Sequence, residues 1–141
     1  MNVKSDTKEK FHVVTLSEPV LSASMTGEME KYLLSYLQND AREAGTKVKN
    51  LVLRMTEVGS VEPAAAEKLV EIQQQFYESG ASFVICELQQ AVEDFLDQQE
   101  LLELMNVTPT ESEAWDIVQM EEMEREMFGD EDAANENPVK S

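Results

Sequence analysis

The stretch Leu51-Val52-Leu53-Arg54-Met55-Thr56-Glu57-Val58-Gly59-Ser60-Val61-Glu62-Pro63-Ala64-Ala65-Ala66-Glu67-Lys68-Leu69-Val70 changes its hydrophobic period part-way along, and that change decides the fold. Residues 51–55 form a compact apolar run bounded by Asn50 and Thr56, short enough for a strand buried on both faces of a parallel sheet. After a turn at residues 58–62, Pro63 suits the first helical position, because its missing N–H would be unpaired there in any case. Glu62 favours the positive end of the helix dipole. Ala65, Leu69, Ile72 and Phe76 then recur three or four residues apart and give a helix to Ser79 one apolar stripe. Gly80 ends that helix and leads into a second strand at residues 82–88, so residues 51–88 read as one β-α-β unit.

Working outward, residues 11–16 and 20–23 are β-prone runs separated by Ser17-Glu18-Pro19, and a hairpin is expected because the proline fits a turn and opposes a continuous strand. Residues 26–44 carry Met29, Leu33, Tyr36 and Leu37 at helical spacing, with Thr26 as cap and Gly45 placed to end the helix. Downstream, Val92, Phe95 and Leu96 mark a third amphipathic helix, and residues 104–107 read as a last short strand. Thr110 and Glu113 then form a capping box opening a fourth helix that contains Trp115. The order β-β-α-β-α-β-α-β-α predicts an α/β fold with a mixed sheet covered by helices, the later strands joined by connections of crossover length.

Composition narrows the function classes. A chain of 141 residues, 42% of them hydrophobic, is one domain's length with enough apolar material for a core. Its net charge of −18 repels nucleic acid and anionic lipid and leaves basic partners as the electrostatic option. Residues 111–141 hold eleven acids and two bases, half of that net charge. No apolar run approaches the roughly 18 residues of a membrane span, and residues 1–6 lack a signal peptide's apolar stretch, so a soluble cytoplasmic protein without membrane insertion is expected.

Candidate chemistry is sparse. Cys86 lies within Phe83-Val84-Ile85-Cys86 and reads as a buried thiol with no redox role. His12 is the one histidine and lies in a β-prone run far in sequence from Cys86, so no nucleophile–base pair is assigned. Glycines at 27, 45, 59, 80 and 129 cannot write a dinucleotide fingerprint or a phosphate-cradling loop. Glu121, Glu122, Glu124 and Glu126 could hold a hard cation weakly, but Asp130-Glu131-Asp132 lacks a calcium loop's alternating ligands and central glycine. No catalytic residue, metal site or cofactor is assigned. A non-enzymatic protein-binding module is expected.

Residues 51–70 together with Ser79-Gly80-Ala81-Ser82-Phe83-Val84-Ile85-Cys86-Glu87-Leu88 resemble the STAS domain of anti-sigma-factor antagonists, and the resemblance spans residues 11–118, including the segment 90–101 after the second strand of the β-α-β unit. It implies a single domain over residues 10–118 with a mixed, mostly parallel sheet of about five strands and about four helices. It also implies a role in transcription regulation or signalling through a protein partner such as an anti-sigma kinase-like protein. The partner surface it implies is Val58, Gly59, Ser60, Glu62, Pro63, Ala64 and Ala65. Where the family carries Asp-Ser-Ser/Thr-Gly, with a hydroxyl that a partner kinase phosphorylates, this chain reads Glu62-Pro63-Ala64-Ala65. Alanine has no oxygen to modify, so the usual switch is expected to be absent, and Ser60 or Thr56 are lesser alternatives. The small residues 64–66 also suit plain packing of a helix start.

Beyond the resemblance, Met120, Met123 and Met127, with Phe128, place apolar residues along one face of an otherwise acidic helix. Residues 119–129 are therefore set apart as a helical extension. That face packs on its own sheet or a neighbouring subunit, giving a homodimer, or forms a docking helix. Residues 1–9 and 130–141 are expected to be flexible. The alternative function is a structural subunit of a larger signalling or transporter-associated assembly.

Overall fold

In the computed structural model, which describes residues 1–8, 10–38 and 49–135 and side chains as far as Met127, seven strands and four α-helices alternate along the chain. The strands are β1 (Val3–Thr7), β2 (His12–Leu16), β3 (Val20–Leu21), β4 (Leu51–Arg54), β5 (Ser60–Val61), β6 (Phe83–Cys86) and β7 (Val107–Thr108). The helices are α1 (Thr26–Leu34), α2 (Pro63–Glu78), α3 (Gln90–Gln98) and α4 (Glu111–Asn135). The main sheet has the order β1-β2-β4-β6-β7, antiparallel at β1 and parallel elsewhere.

Strand alternation explains why β2, β4 and β6 are almost continuously apolar, since each sends successive side chains into two different cores. Val14, Leu16, Leu51, Leu53, Phe83 and Ile85 face one side, where Met29 and Leu33 of α1, Leu69, Ile72 and Phe76 of α2, and Val92 and Leu96 of α3 meet them. Val13, Val52, Val84 and Cys86 face the other side, against Ala114, Trp115 and Val118 of α4. Three helices thus cover one face and one helix covers the other. At the end of α2, Gly80 takes φ +78°, and the N–H of Ala81 reaches back to the carbonyl of Phe76, the left-handed stop that its position foretold.

Several expectations change. The hairpin is not at Ser17-Glu18-Pro19 but between β1 and β2, in a segment expected to be flexible; β1 is polar and exposed, held by backbone pairing rather than by an apolar face. The chain beyond Pro19 instead runs into β3, which pairs in parallel with β5 as a separate two-stranded sheet. Residues 102–104 form a 3-10 turn, and the last strand starts at Val107, where Asn106 N–H has just been engaged by Gln73 Oε1 at 2.9 Å. Thr26 does not cap α1; its hydroxyl donates to the carbonyl of Ala23, because a 3-10 turn at residues 23–25 leads directly into the helix. Of the helix expected over residues 26–44, α1 ends at Leu34 and passes into a 3-10 turn at residues 35–37, while Gly45 lies outside the described residues. Thr110 does cap α4, its hydroxyl accepting the N–H of Glu113 at 3.1 Å.

Three side chains between residues 121 and 125 tie α4 to the rest of the fold. Beyond the apolar contacts of Ala114 and Val118, Glu121 accepts from the hydroxyls of Tyr77 and Ser82, at 2.8 and 2.5 Å. Glu122 accepts from the Asn50 amide at 2.6 Å, and Arg125 donates to Asn50 Oδ1 and to the Ser82 hydroxyl. Burial and the neighbouring Glu121 carboxylate push the Tyr77 phenol well above its ordinary range, so it stays a donor. Glu121→Ala is expected to destabilise the protein by about 1–2 kcal/mol in urea unfolding, since two part-buried hydroxyls lose their acceptor. Met123→Ser, on the opposite side of the same helix, should change stability by less than about 0.5 kcal/mol.

Candidate functional site

The turn between β4 and α2 is built by backbone bonds to the segment that precedes β3. The N–H of Val58 reaches the carbonyl of Met55, and the N–H groups of Gly59 and Ser60 both reach the carbonyl of Pro19. Glu62 N–H then pairs with Leu21, and the Glu62 carboxylate accepts the N–H of Ala23 at 2.7 Å. Glu62 therefore does not cap its own helix; it ties the start of α2 to the turn preceding α1.

The sequence-assigned surface divides. Gly59, Ser60, Glu62, Pro63 and Ala64 are exposed on one continuous turn, and Val20 of β3, exposed by 41%, is paired beside Ser60. Val58 and Ala65 are fully buried in the larger core, so they support the turn from beneath. Ala64 occupies an open position in which a larger side chain would meet solvent, whereas a modified side chain at 65 would have to displace the core. Met120, Met123 and Met127 are more than half exposed on α4, away from this turn, and the side chain of Phe128 lies outside the described residues.

Sequence reading missed a polar cluster at the same end of the sheet. Glu87 stands directly after β6 with φ +62°, a left-handed backbone that is uncommon for a residue with a side chain. Its carboxylate accepts from the Thr56 hydroxyl at 2.7 Å, from the Arg54 guanidinium at 3.1 Å and from the N–H of Glu111 at 3.3 Å. Arg54 also faces Glu111 at 3.7 Å, and the Gln89 amide holds the Thr56 carbonyl at 2.8 Å. The first residues after β4, those after β6 and the start of α4 are thus fastened through one side chain. The signal available in the sequence was an arginine within an apolar strand, which needs an anion beside it.

The Thr56 hydroxyl bond, followed by Arg54, holds the Glu87 carboxyl below the usual carboxylate range. Burial, followed by the charges of Glu87 and Glu111, pushes the Cys86 thiol up to about 12. His12 sits at the opposite end of its strand, its Nδ1 2.9 Å from the Thr7 hydroxyl and its ring 4.5 Å from that of Tyr36. Among the described residues no three His, Cys, Asp or Glu side chains gather in a metal-binding group. None of their helices is long and apolar enough to cross a membrane.

With a parallel sheet, a β4–turn–α2 surface and a fourth helix on the second face, residues 2–114 match the family model described as STAS domain. The chain belongs to the STAS domain family. Its fold is shared with a protein described as an anti-sigma factor antagonist from Thermotoga maritima, at a TM-score of 0.66 and 20% identity over 83% of this chain and 94% of that one. A serine-to-glutamate variant of RsbS from Moorella thermoacetica is similar at a TM-score of 0.64 and 22% identity, covering 84% of this chain and 96% of that one. The murine anion transporter Slc26a9 contains a similar unit, at a TM-score of 0.61 and 16% identity, covering 78% of this chain and 18% of the transporter. No curated protein sequence matches the chain closely enough to count as a relative.

Two outcomes test this STAS site's chemistry. A depressed carboxylate pKa stabilises the fold above the unfolded value and ceases to do so as pH falls through the folded value. Glu87→Gln should therefore cost about 1 kcal/mol at pH 7, with the gap to the parent closing in acid, read by urea unfolding across pH. Iodoacetamide at pH 8 should leave Cys86 unmodified in the folded protein and alkylate it in urea, read by mass spectrometry.

Proposed function

We propose that this STAS protein is a non-enzymatic regulatory module that binds a protein partner through the exposed turn around Gly59, Ser60, Glu62, Pro63 and Ala64, and does so without phosphorylation at the start of α2. The carrying observation is the solvent-facing Ala64, with Pro63 before it: the position offers contact area and no hydroxyl. Glu62 supplies a fixed negative charge, spent on the Ala23 N–H, that keeps the turn in one arrangement. A surface tied to β3 by backbone bonds needs little ordering on binding, which suits a constitutive contact. The likeness to anti-sigma factor antagonists supports this class of partner, an anti-sigma kinase-like protein being its family form.

The second reading, a subunit of a transporter-associated assembly, is favoured by the Slc26a9 likeness, in which a similar unit is a small share of a transporter chain. Affinity capture from native extract separates the two: a soluble kinase-like ATPase supports the first, a permease the second. Either partner should be lost with Ala64→Arg, whose side chain projects from the turn without entering the core. A partner retained by that variant, or a phosphate mapped within residues 58–66 after capture, would count against the proposed surface or its lack of a switch.

A further inference from the structure

The two sides of α4 differ in kind. Ala114 and Val118 are buried and Glu121, Glu122 and Arg125 are hydrogen-bonded to the sheet, while Glu113, Asp116, Met120, Met123, Glu124, Glu126 and Met127 are all exposed. Met120, Met123 and Met127 recur at the alternating three- and four-residue spacing of a coiled-coil seam, and they are 55%, 61% and 53% exposed. In that register Glu124 and Glu126 flank the seam, and Glu113 and Asp116 continue it toward the helix start. The one base within this stretch, Arg125, points inward to Asn50 and Ser82.

We propose that this face of α4 receives an amphipathic helix from a partner protein, one with an apolar seam flanked by lysine and arginine. The flanking charge chooses the occupant. A second copy of this chain would bring a face carrying Glu113, Asp116, Glu124 and Glu126 against the same four acids, where like charges oppose association. A basic helix would place cations beside the flanking Glu124 and Glu126 while its apolar residues cover the methionines, whose unbranched, polarisable side chains adapt to varied partners. The surface lies on the opposite side of the sheet from α2, so the two contacts are separable.

The test uses the full chain and two synthetic helical peptides of about four heptads, both with leucine at the seam, one with lysine and the other with glutamate at the flanking positions. In calorimetric titration the lysine peptide should bind and the glutamate peptide should not. Combining Met120→Ser, Met123→Ser and Met127→Ser should weaken the lysine peptide about a hundredfold, with circular dichroism and urea midpoint unchanged. Ala64→Arg should leave this binding intact, which keeps the result independent of the turn surface. Absence of lysine-peptide binding overturns the proposal. So does binding that survives the triple substitution, which would be charge attraction alone, or sedimentation showing a methionine-dependent dimer, which would make a second copy the occupant.

Discussion

Strands β2, β4 and β6 are buried on both faces, and the rest of the molecule answers to that requirement. The parallel strands follow one another across the sheet without reversal, from β2 to β4, β6 and β7, so right-handed connections deposit α1, α2 and α3 on the same side. Among the described residues, the helices between consecutive parallel strands all pack on that first side. The chain that follows the last strand covers the second face with Ala114, Trp115 and Val118 of α4. The family match ends at residue 114, inside the first turns of this helix, yet the polar bonds that hold α4 continue to Arg125.

The same arrangement sorts the polar groups to the two ends of the sheet. At the starts of β4 and β6, Asn50 and Ser82 share Glu121, Glu122 and Arg125 with α4. At the other end, Glu87 joins Arg54 and Thr56 to the N–H of Glu111. Each cluster gives part-buried polar groups at the edge of the apolar cores hydrogen-bond partners. Because the Glu87 cluster also fixes Thr56, the turn leading to Ser60 and α2 is anchored at both ends, by Glu87 below and Pro19 beside it. A turn held at both ends is restricted in the shapes it can take.

The legible parts of this fold were those carried by apolar period and by helix punctuation. Leu69, Ile72 and Phe76, Pro63 at the start of α2, Gly80 at its end and Thr110 before α4 all did what their chemistry indicates. Strand β1 was illegible because Lys4, Ser5 and Asp6 carry no apolar alternation; it is placed by its backbone ladder with β2 and the Thr7–His12 side-chain bond. The parallel pair β3 and β5 was illegible because two-residue strands have no period, and their partners stand forty residues apart. At the candidate surface, the exposed turn could be read from residue type. The inward direction of Val58 and Ala65 and the role of Glu87 depend on where the chain turns in space.

Charge shows most clearly what sequence alone conflates. The acids of α4 look uniform as a run, yet they do two different jobs set by the helical period. Glu111, Glu121 and Glu122 face the domain and are matched to Arg54, Tyr77, Ser82 and Asn50. Glu113, Asp116, Glu124 and Glu126 face outward with the methionines. Acids of the first kind have ordered hydrogen-bond donors and are weakly screened by salt, so they act locally on stability. Those of the second kind add to the long-range negative field of a chain whose net charge is −18, and they act on which molecules approach. An apolar seam inside such a field is poorly suited to self-association, because the contact that would bury it brings its own charges together. In the proposed contact the methionines and the acids around them act as one feature, the charge supplying selectivity and the thioethers contact area.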